Sequence, residues 1–174
     1  MNAIRRLVHD HRELLQDARA HWSGWSPARR YKVLEKLLSA YCTAMSLETP
    51  PIETRDLKNP RIIGRFVSAR PSLLINPKAY GADQFELVMS ALFHEHSHYT
   101  QYRFMAGPAT LAGAEARQTH FFTVNRLQYT RLESIAAYEA QPIEAHAFLT
   151  SRIRERKGGD CRASLCSRGG RPVI

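Results

Sequence analysis

Three histidines and a glutamate stand within five positions, His94 to His98, in the stretch ALFHEHSHYTQY. An α-helix turns about 100° per residue, so His94 and His98 lie within about 40° of each other on one face and can bind one metal ion. Glu95 lies about 100° from His94, where its carboxylate can accept a proton from a metal-activated water. His96 lies on the opposite side, and we expect it to pack or hydrogen-bond in the core.

The spacing His94-Glu95-x-x-His98 is the H-E-x-x-H pattern of zinc hydrolases. Zinc in such sites is held by three protein ligands and leaves one position for water, whose pKa falls to around 7. The apolar run FELVMSALF, residues 85–93, directly precedes the motif and indicates a buried helix. Buried histidines without partners would be costly, so we expect one zinc ion here, with Glu95 as the general base.

The third ligand must come from elsewhere in the chain, and it is usually His, Glu or Asp. Glu144 is the leading candidate, because it falls on the first turn of an apolar helix predicted to begin at Pro142. A carboxylate there can instead favour the helix dipole. The main alternative ligand is His120. The remaining candidates are Glu115, Glu133, Glu139 and His146.

Helices are the main elements that must position these residues. Apolar residues spaced by three and four predict an amphipathic helix over residues 3–21. Ser26 is a suitable N-cap and Pro27 a suitable first residue for a second helix. Its predicted buried side runs to Met45 and includes Cys42 as a core thiol.

Two short β-prone runs follow a proline-rich break. RIIGRFV (residues 61–67) and PSLLINP (residues 71–77) predict a hairpin or two strands of a small sheet. Asp83 and Glu86 then resemble a capping box that begins a long helix, which carries the histidine motif to about Met105.

Residues 109–138 fit a strand or a helix equally well, and a final helix is predicted from Pro142. The sequence therefore predicts an α+β fold that is mainly helical, with a small sheet before the motif-bearing helix. We expect one domain over residues 1–156, with N-terminal helices in 1–47 and a catalytic core in 61–156.

The net charge of +9 is concentrated at the C-terminus. Residues 151–174 contain seven Lys/Arg and two Asp/Glu, which gives +5, and the other 150 residues contribute +4. We expect residues 157–174 to be a disordered basic tail. Cys161 and Cys166 lie in that tail without the second pair that a zinc ribbon needs, so we interpret them as incidental.

Apolar runs in the chain are too short to span a membrane, and the N-terminus lacks the apolar core of a secretory signal. We therefore predict no membrane partner and a cytoplasmic location.

The stretches LFHEHSHYTQY and YEAQPIEAHAF together resemble the active-site pair of small gluzincin-type zinc metallopeptidases. The layout is similar to the ImmA/IrrE-like group and to minimal zincins encoded by phages and plasmids. The resemblance implies a zincin-like fold in which His94, His98 and Glu144 hold zinc and Glu95 is the general base. It departs from the family at the middle histidine, a position that is more often aliphatic or small.

Two further features bear on a reaction. In zincin-like folds an edge strand before the active-site helix binds the substrate backbone by strand addition, and residues 71–77 are the candidate. Tyr138, six residues before Glu144, is the candidate donor of a hydrogen bond to a developing oxyanion, and Tyr102 is another option. For both tyrosines a purely structural role is the alternative.

These features predict a zinc metallopeptidase that hydrolyses peptide bonds in a protein or peptide substrate. One alternative is a metal-stabilised binding protein that contacts nucleic acid through the basic tail. Another is a degenerate metallopeptidase that serves only as an interaction module.

Overall fold

A computed structural model of the protein describes residues 9–59, 62–77, 85–107, 113–129 and 135–157. The fold is α+β and mainly helical, with one small sheet, as the sequence predicts. The helices are α1 (Arg12–His21), α2 (Pro27–Ala44), α3 (Phe85–Ala106), α4 (Gly113–Leu127), α5 (Ile135–Glu139) and α6 (Pro142–Lys157), and the strands are β1 (Ile52–Thr54), β2 (Gly64–Val67) and β3 (Ser72–Ile75).

The second helix, α2, begins as its sequence predicts. Ser26 Oγ accepts a hydrogen bond from the backbone N–H of Arg29 at 3.3 Å, and proline occupies the first turn. Its buried face includes Cys42, as expected. The prediction for Met45 is wrong, because the helix ends at Ala44 and the Met45 side chain is 40% exposed.

The sheet has the strand order β1-β3-β2. Strands β2 and β3 pair antiparallel, which confirms the two predicted strands, and β1 pairs parallel with β3. Strand β1 was not predicted, because three residues in a proline-rich stretch give no recognisable alternation. Since β3 is central, residues 71–77 do not provide an edge, and their prediction as the substrate-binding strand is wrong.

Helix α3 is the centre of the molecule, because it packs against α2, the sheet, α4 and α6. It starts at Phe85 and ends at Ala106, close to the predicted end at Met105, while Asp83 lies outside the described residues. Its apolar side joins one core with α2 and the sheet. That core includes Trp22, Leu34, Leu38, Tyr41, Leu73, Ile75, Val88 and Leu92.

The C-terminal half is helical. Residues 113–127 form α4, so this part of the segment 109–138, which fitted a strand or a helix, is a helix. Helix α6 begins at Pro142, as predicted. Residues 158–174 lie outside the described residues, so the disordered tail and the proposed domain limits stay predictions. Within the described ranges, no helix combines the length and the apolar character needed to cross a membrane.

Candidate metal centre

The two outer histidines of α3 and a glutamate of α6 meet at one point. His94 Nε2 and His98 Nε2 lie 3.1 Å apart, and each lies 3.2 Å from Glu144 Oε2. The three atoms therefore form a nearly equilateral triangle. The helical register places the histidines four residues apart on one face of α3, and the packing of α6 on α3 brings in the carboxylate.

The size of this triangle fits a tetrahedral zinc site. Zinc binds histidine nitrogen and carboxylate oxygen at about 2.0–2.2 Å, so tetrahedral angles place neighbouring ligand atoms about 3.3 Å apart. The observed separations of 3.1 and 3.2 Å come close to that value. The donor set of two imidazoles and one carboxylate is also the set used in open zinc sites. The residues present thus fit one zinc ion.

Burial leaves the carboxylate of Glu144 in need of a partner. The residue is 2% exposed, and within the described part of the chain its Oε2 atom accepts no hydrogen bond. The Nε2 atoms of His94 and His98 each lie 3.2 Å from this oxygen, close enough to form an ion pair with it when the imidazole is protonated. Burying a carboxylate charge is costly, and a protonated imidazole or a cation bound at this point would compensate it.

The charges of Glu144 and His98 stabilise each other. Burial opposes the charge on Glu144, but the two imidazoles outweigh burial and hold its pKa well below the ordinary range. Burial also opposes the charge on His98, but Glu144 and, further away, Glu95 raise its pKa to about 9. Without a bound ion, these shifts favour an ionised carboxylate beside a protonated imidazole at neutral pH.

Glu95 lies beside the triangle and is bound to the sheet. Its Oε2 atom accepts a hydrogen bond of 2.6 Å from the backbone N–H of Phe66 in β2, and the residue is 5% exposed. Gly64 makes this approach possible, because a side-chain carbon there would lie 3.2 Å from Glu95 Cγ and 3.4 Å from the carbonyl oxygen of Leu74. One oxygen of the Glu95 carboxylate is therefore hydrogen-bonded to β2.

Tyr138 of α5 lies near the same carboxylate as the two histidines. Burial raises the pKa of its phenol, and so do the charge of Glu144 and hydrogen bonds to Tyr129 and Glu144. The rings of Tyr129 and Tyr138 pack edge to face, with their centroids 6.3 Å apart. Tyr102, the other candidate, instead packs beside Phe66, with ring centroids 5.6 Å apart. Of the two predicted tyrosines, Tyr138 is the one placed near Glu144.

The middle histidine of the motif is not part of this cluster. His96 is fully buried on the other side of α3, where its Nε2 atom lies 3.3 Å from Cys42 Sγ. Its ring packs edge-on against Tyr41, with centroids 5.5 Å apart. The prediction that His96 packs and hydrogen-bonds in the core is confirmed.

The alternative third ligands are not in the cluster that the described residues form. His120 and Glu115 are exposed on α4, and Glu139 is exposed on α5. Glu133 lies outside the described residues. His146 lies on α6 near the site, but its Nδ1 atom contacts the side chain of Gln101.

Gln101 is the residue that sequence reasoning missed. It is 2% exposed and contacts both His98 and α6. A signal was present, because Gln101 stands three residues after His98 and therefore near its face of the helix. A buried amide on such a face needs hydrogen-bond partners. The histidine motif was the only polar group predicted on that face, so it was the available partner.

Comparison of the chain with protein-family models, curated proteins and solved structures finds no match.

Proposed function

We propose that the protein is a zinc-dependent metallopeptidase that hydrolyses peptide bonds in a protein or peptide substrate. The main support is the convergence of His94 Nε2, His98 Nε2 and Glu144 Oε2 within 3.2 Å of one another, although Glu144 follows His98 by 46 residues. A buried carboxylate, Glu95, directly follows the first of these histidines in the chain. The same geometry would hold another divalent ion, and zinc is proposed because its ligand preferences match this donor set.

The three ligands define what the site can do. A zinc ion held by them supplies Lewis acidity, which polarises a substrate carbonyl and lowers the pKa of a water molecule. Glu144 contributes one negative charge, and the imidazoles bind as neutral groups after His98 loses its Nε2 proton. Burial of His94 and Glu144 keeps bulk water away from these atoms, which strengthens their electrostatic interactions.

Glu95 is the proposed general base. Its Oε1 atom can take a proton from the attacking water and deliver it to the leaving amine. The other oxygen accepts the Phe66 N–H at 2.6 Å, and this hydrogen bond fixes the carboxylate against β2. Such a bond restricts the rotamers of Glu95, so that less conformational freedom is lost when the reaction proceeds.

Tyr138 is the proposed donor to the oxyanion. Its raised pKa keeps the phenol protonated across the physiological range, and only a protonated phenol can donate to a developing negative charge. The neighbouring Tyr129 limits the directions in which the phenol can point.

Strand β2 is the proposed substrate-binding edge, in place of β3. Arg65 and Val67 lie opposite Leu74 and Ser72 of β3, while the Phe66 N–H points away from β3 toward Glu95. Glu95 already occupies the Phe66 N–H, so an added peptide would pair with the other backbone groups of β2 on that side. A peptide added along this edge would pass beside Glu95.

The test of this function is the variant Glu95→Gln. The neutral amide cannot accept the proton, so we expect hydrolysis of a casein or peptide-library substrate to fall by about 10²–10⁴-fold. Zinc content, measured by atomic emission on purified protein, should stay near one per chain, because Glu95 is not a ligand.

The matched control is Glu86→Gln, which removes a carboxylate from an exposed position of the same helix. Its activity should equal that of the wild type. Full activity in Glu95→Gln would contradict the role of Glu95. A wild type that holds zinc but cleaves no member of a broad peptide library would favour the non-catalytic interaction module.

A further inference from the structure

Gln101 is buried where the motif helix meets the helix that supplies the third ligand. It stands one turn beyond His98 on α3 and is 2% exposed. Its side-chain amide makes three contacts: His98 Nδ1 at 2.9 Å, the carbonyl oxygen of Ile143 at 3.0 Å and His146 Nδ1 at 3.1 Å. A buried amide with three partners is constrained in both position and orientation.

The partners decide which end of the amide faces His98. A backbone carbonyl oxygen can only accept, so the group facing Ile143 must be the Nε2 amide. The Nε2 amide also donates to His146 Nδ1. The oxygen of Gln101 therefore faces His98. The opposite orientation would place two acceptor oxygens about 3 Å apart in a buried setting, which is unfavourable.

The amide orientation in turn sets the tautomer of His98. The Oε1 atom of Gln101 can only accept, so His98 Nδ1 carries the proton and donates it. When His98 is neutral, its lone pair is then on Nε2, the atom that lies 3.2 Å from Glu144 Oε2. His94 differs, because its Nδ1 atom has no hydrogen-bond partner among the described residues.

The same amide also fixes the helix that carries the third ligand. Ile143, whose carbonyl accepts from Gln101, directly precedes Glu144 in the first turn of α6. One side chain thus orients one histidine of the triangle and holds the backbone beside the carboxylate. We propose that Gln101 is a positioning residue of the metal centre, which presents His98 Nε2 and holds Glu144 against α3. This inference rests on the metal site of the proposed function and not on hydrolysis.

The test compares zinc affinity in two variants, Gln101→Met and Asn76→Leu, by competition with a chelating dye. Gln101→Met keeps the length of the side chain and removes every hydrogen bond. Loss of a group that orients a metal-binding histidine weakens binding by about 10–100-fold, and we expect a change in this range. Asn76 is the matched control, because it is also a fully buried amide whose nitrogen has two partners, the backbone carbonyls of Asn59 and Ile62.

Asn76→Leu should bind zinc within about threefold of the wild type, whatever its loss of stability, since its amide donates to Asn59 and Ile62 and not to a ligand. Gln101→Glu restores an acceptor for the His98 Nδ1 proton, so it should bind zinc more tightly than Gln101→Met. Unchanged affinity in Gln101→Met, or an equal loss in Asn76→Leu, would overturn the inference.

A second readout needs no variant. In ¹⁵N-labelled wild-type protein, NMR should show a slowly exchanging proton on His98 Nδ1 that is hydrogen-bonded to Gln101, with or without zinc. A His98 whose proton is found only on Nε2 would overturn the inference. A wild type that binds zinc but cleaves no peptide would contradict the proposed function and leave the role of Gln101 standing.

Discussion

Charge balance at the level of single residues explains why this cluster favours a cation. Glu144 and Glu95 are both buried, with 2% and 5% of their surfaces exposed. In the metal-free centre, a protonated His98 compensates Glu144, and the Phe66 N–H interacts with Glu95. A divalent ion would replace the proton of His98 and, with the two carboxylates, give a neutral group, which is the cheapest charge state to bury.

This exchange predicts proton release when zinc binds. Because the pKa of His98 is raised to about 9 in the metal-free protein, the imidazole is protonated at pH 7 and must lose its Nε2 proton to become a ligand. The pKa of Glu144 is already low, so this carboxylate contributes no proton. We expect His98 to contribute one released proton per zinc at pH 7, beside any proton released by a zinc-bound water, and this contribution should disappear as pH rises through 9.

Isothermal titration calorimetry in buffers of different ionisation enthalpy measures this number. The His98 proton should add a roughly tenfold rise in zinc affinity per pH unit below pH 9 and no further rise above it. A binding reaction that releases no proton at pH 7 would show that His98 is not a ligand or is not protonated in the metal-free protein.

At the level of elements, the sequence predicted the motif helix and the α6 helix well, because both depend on local patterns. The 3.6-residue period separates His96 from His94 and His98 without any tertiary information. Strand order is a tertiary property. The apolar pattern of residues 71–77 is typical of a buried strand and does not tell its position in the sheet. The position of β2 at an edge of the sheet and of β3 at its centre therefore could not be predicted before the strand order was known.

Strand β2 gives a prediction about the base. Phe66→Pro removes the N–H that binds Glu95 and breaks no ladder hydrogen bond, because this N–H points away from β3. Phe66→Ala loses the same aromatic contacts but keeps the N–H. A hydrogen bond to a charged group contributes about 1.5–3 kcal/mol, so kcat should be about 10–100-fold lower in Phe66→Pro than in Phe66→Ala.

Zinc content should be equal in the two Phe66 variants, since neither changes a ligand. Steady-state kinetics on one peptide substrate makes the comparison. Equal kcat values would show that the strand amide does not position Glu95 for the reaction.

At the level of the whole molecule, the candidate metal centre forms because α6 packs against α3. Helix α3 is covered by the sheet and α2 on one side and by α4 and α6 on others, so its polar stripe faces α6 inside the protein. Glu144 could be predicted from its place in a first helical turn, but its distance to the histidines could not, since the packing of the 45 intervening residues decides it. The hydrogen bonds of Gln101 depend on the same packing of α6 on α3, so they could not be predicted from the sequence either.

The central claim is that His94, His98 and Glu144 hold one zinc ion. An anomalous difference map, collected at the zinc absorption edge from crystals grown with zinc, tests it directly. We predict one strong peak per chain, at about 2.0–2.2 Å from His94 Nε2, His98 Nε2 and a carboxylate oxygen of Glu144. A map without a peak there, or a peak held by other residues while this triangle stays empty, would contradict the account.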